Sequence, residues 1–322
     1  MNYLGLLFFI GLIFTVNLNV FSWAATTFNK TTVKNYNGFG HLNRQAETRM
    51  VQQCDLDDFS LDYQEPVFPQ VPGVTTSICQ RGQFATFYDG GLGIPRYAVY
   101  MLTDDEVKKF KSFKRPTSDP WSQTPGITHQ GSNDLYKGGN YQRGHIVPFE
   151  TLSYSEESGL ASFTYTNCVP QVGSFNTGLW RVYEAKIRKY AGVCTSQGGT
   201  LYLITGISFV RLVTNPKTLQ LEPELPHSIM AFPNKPGIVQ SQKIAIPNSM
   251  WTAGCCWSAM KGIVTGAFAV IGNNDENKEM NKRIMAHQSL PYVEQVLQKE
   301  NKNIELFPGH NDCYDLTKQV TL

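Results

Sequence analysis

Tyr141-Gln142-Arg143-Gly144-His145-Ile146-Val147-Pro148 is the stretch from which the fold is read. Its first half has the character of an extended strand that carries a histidine. An alternating run from Ala161 to Val169 follows and closes on Pro170-Gln171. Ser174-Phe175-Asn176-Thr177-Gly178-Leu179-Trp180-Arg181-Val182-Tyr183-Glu184 then reads as a helix entry. The expected order is strand, strand, helix, with His145 on the first strand and Asn176 on the helix. Such a unit can hold one hydrated metal ion beside one general base.

Histidine is the side chain best suited to take a proton from water near neutral pH. The chain has His41, His129, His145, His227, His287 and His310. An isolated histidine is usually structural. His145 differs because Arg143, two residues earlier on an extended segment, projects from the same side. Asn176 alone would be read as a helix N-cap. Asn176, Trp180, Glu184 and Arg188 are, however, spaced so that amide, indole, carboxylate and guanidinium share one helix face. Glu184 with Arg188 by itself would be a surface ion pair of little consequence. A polar face that begins with an amide suits Mg2+, which keeps most of its waters and needs few protein ligands.

Working outward, residues 54 onward read as one ordered domain, preceded by a loose polar arm over residues 25–53. Phe84 to Tyr88 and Ile94 to Met101 are expected to form a hairpin about Asp89-Gly90-Gly91-Leu92-Gly93. Thr103-Asp104-Asp105-Glu106 has helix-start chemistry. The run Lys108, Lys109, Lys111, Lys114 and Arg115 is either a solvated basic face or a patch that tracks phosphates, the latter only if it lies beside the central motif. Pro116 to Asn140 is a long loop leading into the site. The motif helix ends near Tyr190-Ala191-Gly192. Strands are expected at Leu201–Gly206 and Val264–Ile271, a short one at Ile229–Phe232, and a helix at Leu290–Glu300 with Val293, Val296 and Leu297 on one face. The fold class is α+β.

With 322 residues, 41% hydrophobic and 12% aromatic, the chain can bury a sizeable core. A net charge of +2 does not by itself call for a polyanionic partner, so any nucleic-acid binding must be local. Leu4 to Val16 is almost unbroken apolar sequence, and Ser22-Trp23-Ala24 offers small residues at the positions a signal peptidase inspects. Residues 1–24 are read as a cleaved signal peptide, and the mature protein as secreted and free of membrane spans. Seven cysteines suit an oxidising compartment, and the odd count leaves one unpaired. Cys168 is the candidate free thiol. Adjacent Cys255 and Cys256 each need a distant partner, Cys194 or Cys313 in either order, which leaves Cys54 with Cys79.

Arg143-Gly144-His145, Asn167-Cys168-Val169-Pro170-Gln171, and Asn176 with Gly178, Trp180, Glu184 and Arg188 resemble the DNA/RNA non-specific endonucleases, the ββα-metal or His-Me finger nucleases. Ile78-Cys79-Gln80-Arg81, Phe84-Ala85-Thr86 and Ile94-Pro95 through Tyr100 resemble the secreted branch, the endonuclease domain-containing 1 proteins. The resemblance spans about Cys54 to Cys313. It implies a central antiparallel sheet flanked by helices, with DNA and RNA backbone phosphates as partners. By it, His145 is the general base and Asn176 the direct ligand of Mg2+ or Mn2+. Glu184 positions metal-bound waters, Arg143 and Arg188 hold the phosphate, and Asn167 supports the site. One residue departs from the pattern: Gln142 stands where the family usually has Asp before Arg-Gly-His. An amide keeps some hydrogen bonds of a carboxylate but not its charge. Two activities follow as expectations, a metal-dependent endonuclease with little sequence preference, or an impaired paralogue that binds nucleic acid or protein.

Overall fold

The computed structural model describes residues 54–233, 237–276 and 288–322. The expectations for residues 1–53, the signal peptide and the polar arm, lie outside the described residues, as does His287.

The hairpin read from the sequence is present and grows into a sheet. Strands β1 (Thr75–Gln80), β2 (Phe84–Asp89), β3 (Ile94–Leu102), β6 (Thr200–Ser208), β11 (Ser249–Ser258) and β12 (Ile263–Asn273) form a six-stranded sheet in the order β1-β2-β3-β6-β11-β12. Every pairing in it is antiparallel. Both faces are covered, and the two-residue period of a strand sorts its side chains between two cores. On β3, Ala98, Tyr100 and Leu102 enter one core, while Tyr97 and Val99 enter the other. The first core is closed by β4 (Tyr141–His145), β5 (Cys168–Val172) and the helix α5 (Arg181–Ser196). The second is closed by the turns around Leu56 and Leu61 and by the helix Leu290–Leu297, whose Val293, Val296 and Leu297 are buried as the sequence predicts.

Strand β11 was not read from the sequence. Ser249-Met250-Trp251-Thr252-Ala253-Gly254-Cys255-Cys256 is buried on both faces, so it lacks the alternation that marks a half-exposed strand. The same burial explains the cysteines. Successive residues of a strand point to opposite faces, so Cys256 reaches Cys194 on α5 while Cys255 reaches Cys313 on the other side. Cys54 bonds Cys79, and Cys168 is the buried free thiol.

The helix expected over Leu290–Glu300 ends at Leu297, the short strand expected over Ile229–Phe232 starts at Ala231, and two other boundaries differ more. The alternating run from Ala161 is not a strand. Glu156–Ala161 is a helix whose N-cap, Ser155, accepts a 3.1 Å hydrogen bond from Ser158 N, and a 3-10 turn over Tyr165–Asn167 precedes β5, which starts at Cys168. The motif helix continues past Gly192 to Ser196, because Ala191 and Cys194 are buried and the disulfide holds that last turn on the sheet. Among the described residues, no helix is long and apolar enough to cross a membrane.

Candidate active site

Strands β4 and β5 pair antiparallel as a separate two-stranded ribbon, with Gln142 opposite Gln171, Arg143 opposite Pro170 and His145 opposite Cys168. Gly144 is required here because a Cβ would lie 2.1 Å from Gln171 Oε1, whose side chain crosses the ribbon. Asn167 is fully buried and holds the chain just after His145. Its Oδ1 accepts from Val147 N at 2.9 Å, its Nδ2 donates to Val147 O at 3.1 Å and Ser162 O at 2.9 Å, and its carbonyl accepts from Ile146 N at 2.9 Å. Asn167 therefore fastens the backbone that follows β4. Asn274 ties the ribbon to the end of β12, accepting from Val172 N at 2.8 Å and donating to Pro170 O at 3.0 Å.

The helix entry is not a regular helix. Residues Asn176–Trp180 form a π-type turn broken at Gly178 (φ −95, ψ −119) before α5 begins. The expected shared face of Asn176, Trp180, Glu184 and Arg188 is thus interrupted. Trp180 is buried in the core against Phe175, centroids 5.4 Å apart, and is not part of a polar stripe. Asn176 sits at the kink beside β4, where its Nδ2 donates to Gln142 Oε1 at 2.9 Å. Gln142 thereby fixes the amide by taking its N–H, while Asn176 Oδ1 makes no hydrogen bond with a described residue.

Gln142, Arg143 and Asn176 line one open cleft of about 620 Å³ together with Arg115, Asp119 and Trp121. His145 packs against Trp121, one of the residues lining this cleft, with ring centroids 4.7 Å apart, and lies 5.0 Å from Phe163. Its Nε2 is buried and has no hydrogen-bond partner. Burial, reinforced by the Arg115 and Arg143 cations, holds the imidazole down at about 3. Glu184 is pushed the other way. Burial raises its carboxyl to about 7 against the opposing pull of Arg188, with Glu150 raising it and Arg115 lowering it further down the scale of effects. Glu184 and Arg188 do not form a surface ion pair: no hydrogen bond joins them, and Arg188 Nη1 is buried without a partner. Arg143 is engaged. Its Nη1 donates to Asp119 at 2.9 and 3.1 Å and to Asn133 Oδ1 at 2.5 Å, and the guanidinium lies over Trp121.

Arg115 was not singled out as a site residue, yet it lines the cleft and acts electrostatically on both His145 and Glu184. Its only sequence signal was its place at the end of the basic run. Lys108, from the same run, faces solvent and pairs with Asp104. Asp119, Trp121 and Asn133 come from the long loop, which carried no residue-level signal. By contrast, His129 is structural, its Nδ1 2.7 Å from Gly90 O and its Nε2 2.8 Å from Lys243 O.

The donor set fits a sparsely held divalent ion. Among the described residues no group of three or more His, Cys, Asp or Glu converges to cage a metal. What the cleft offers is one amide oxygen without a hydrogen bond from a described residue and open space for waters, which suits a divalent ion that keeps most of its hydration shell.

A histidine strand, a second strand and a helix entered at an asparagine, mounted on a central antiparallel sheet, define the ββα-metal nuclease class. Residues 68–304 match the DNA/RNA non-specific endonucleases, and the chain belongs to that family. It is similar to a nuclease of Nostoc sp., 22% identical over 205 residues, covering 62% of this chain and 64% of that protein. It is also similar to Nuclease 1, mitochondrial, of Schizosaccharomyces pombe, 27% identical over 42% of this chain and 41% of that one. The human endonuclease domain-containing 1 protein is 24% identical over 56% of this chain and 34% of its own length. The chain therefore spans between about a third and just under two thirds of these relatives. A chain from the crystal structure of the EndoG/EndoGI complex superposes with a TM-score of 0.54 at 18% identity, covering 78% of this chain and 91% of that one, which shows the shared fold.

Proposed function

We propose that this protein is a secreted, divalent-metal-dependent endonuclease that hydrolyses phosphodiester bonds of DNA and RNA with little sequence preference. The observation that carries the reading is the unpartnered Nε2 of His145, packed against Trp121, which lines a cleft shared with two arginines and Asn176. A neutral imidazole is the form that accepts a proton. Burial first, and then the Arg115 and Arg143 cations, hold the imidazole below the range of an effective base. A phosphodiester bound against Arg115 and Arg143 brings one negative charge and offsets part of their effect, so substrate moves the basicity of His145 upward. Entry of the attacking water requires Trp121 to give way, since Nε2 is screened from solvent in the free enzyme.

Asn176 Oδ1 would hold the ion directly, and Glu184 would hold it through its waters. When bound, Mg2+ or Mn2+ supplies positive charge to the phosphate and its leaving oxygen. Arg188, with a free buried N–H, is placed to stabilise Glu184 as an anion. Contacts of this kind address the backbone, which explains weak sequence preference. Export is supported by three disulfides, which persist in oxidising compartments.

The test is incubation of the purified protein with plasmid and with RNA, in Mg2+ and in EDTA, beside His145→Ala. Degradation that requires the ion and falls by roughly 10²–10⁴ in the variant supports the enzyme. Intact plasmid with retained nucleic-acid binding supports the impaired, binding paralogue that Gln142 allows.

A further inference from the structure

Lys114 of the basic run and Arg81 of the Ile78-Cys79-Gln80-Arg81 segment are not used by the site above, and the fold brings them together. Behind the loop that carries Arg115, Asp119 and Trp121 lies a second hollow of about 530 Å³, lined by Arg81, Lys114, Phe113, Pro116, Pro120 and Glu156 among others. The loop between Lys114 and Trp121 is the partition. Lys114 faces the second hollow and its neighbour Arg115 faces the catalytic cleft.

The partition is held at both ends. Phe113 N donates to Ser153 O at 2.9 Å, and its ring packs so closely on Gly159 that a Cβ there would lie 2.5 Å away. At the other end Ser122 N donates to Phe163 O and Ser122 O accepts from Tyr165 N, both at 3.0 Å. Arg81 is equally fixed. It stands in the turn between β1 and β2 at φ 52, followed by Gly82 at φ 70, and the preceding Gln80 is buried, donating to Thr166 Oγ1 at 2.7 Å and accepting from Thr164 Oγ1 at 3.1 Å. Neither Arg81 nor Lys114 forms an ion pair with a described residue. Two unpaired cations on rigid supports, flanked by two prolines and a phenylalanine, suit a nucleotide: the phosphate on the cations, the base or sugar on the apolar surfaces. Glu156 opposes an anion and reduces the net charge of the hollow to +1.

We propose that this second hollow is a subsite for a flanking nucleotide of the strand whose phosphodiester lies in the catalytic cleft, with Arg81 and Lys114 contacting the backbone across the partition. The proposal rests on the nuclease reading for the identity of its ligand. The test measures binding in EDTA, so it does not depend on turnover. Fluorescence anisotropy of a labelled single strand of about 30 nucleotides is followed against salt for the full protein, for Arg81→Gln/Lys114→Gln, and for a charge-matched control, Lys217→Gln/Lys302→Gln, at exposed residues lining neither hollow. The first pair is expected to weaken binding roughly tenfold and to reduce the slope of log affinity against log salt by about 1.4, two single-strand phosphate contacts. Glu156→Gln is expected to tighten binding. Equal effects of the two pairs, or none from the first, overturn the subsite. Failure of the wild type to bind the strand overturns it as well, whereas binding without Mg2+-dependent cleavage overturns only the nuclease reading.

Discussion

Glu184 and Glu300 are two sheltered carboxylates on opposite sides of the same sheet, and their surroundings could hardly differ more. Glu300, just beyond the helix Leu290–Leu297, pairs with Arg96 at 2.7 Å and accepts from Ser208 Oγ, from Phe209 N at 2.5 Å and from Val210 N at 3.4 Å. Its charge is fully used in holding the end of β6 to the C-terminal segment. Glu184 accepts no hydrogen bond from a described residue, is raised to about 7, and has beside it an arginine N–H without a partner. A buried carboxylate whose lone pairs are satisfied is a fastening. One left unsatisfied, at a cost to the fold, is a candidate for work beyond folding.

The largest effect expected from this contrast is on stability. Glu300→Ala leaves Arg96 and Phe209 N without their acceptor, while Val210 N keeps its 2.9 Å bond to Ser208 Oγ, and chemical denaturation should show a loss of about 3–5 kcal/mol. A loss below ~1 kcal/mol would mean the pair is not a fastening.

Glu184→Gln should do the reverse in metal-free buffer. Burial pushes the folded carboxyl up to about 7 from an ordinary value near 4.5, so the folded state holds its proton longer than the unfolded chain does. Stability contributed by the protonated form is complete below 4.5 and is lost as pH rises through 7. The variant, which cannot ionise, should therefore be more stable than wild type at pH 8, by at most ~3 kcal/mol, and match it at pH 4.5. The same variant should lose cleavage. If its melting temperature is lower at pH 8, the carboxylate is a structural group like Glu300.

Gln142→Asp sharpens the comparison within the cleft. An aspartate can still accept the Asn176 N–H seen at 2.9 Å and adds a negative charge next to the amide oxygen. Isothermal titration should show tighter Mg2+ binding, by roughly tenfold for one added charge near the surface. Unchanged affinity would indicate that the ion does not sit at Asn176.

The smallest expected effect concerns Asp119, whose exposed carboxylate occupies Arg143. An exposed pair contributes at most ~1 kcal/mol, so a phosphodiester can displace it, but the released carboxylate then repels the substrate. Asp119→Asn should lower KM by a few-fold with kcat nearly unchanged. A fall in kcat instead would make Asp119 a positioning residue for Arg143.

The sequence by itself determined the local chemistry. The order of histidine strand, second strand and asparagine-headed helix, the hairpin before it and the apolar face of the helix Leu290–Leu297 were legible because each rests on nearest neighbours or on a short period, although the second strand begins at Cys168 and not in the alternating run from Ala161; the free Cys168 followed from the odd cysteine count. Tertiary structure decided what periodicity cannot carry. Strand β11 is buried on both faces and so has no alternation to read, yet its burial is what sends Cys255 and Cys256 to different sides of the sheet. The π-type turn that brings Asn176 to Gln142 breaks the helical spacing that had suggested a continuous polar face. Arg115, Asp119 and Trp121 enter the cleft from a loop fixed only by contacts distant in sequence, and no local pattern marks a residue whose position is set by the far side of the chain.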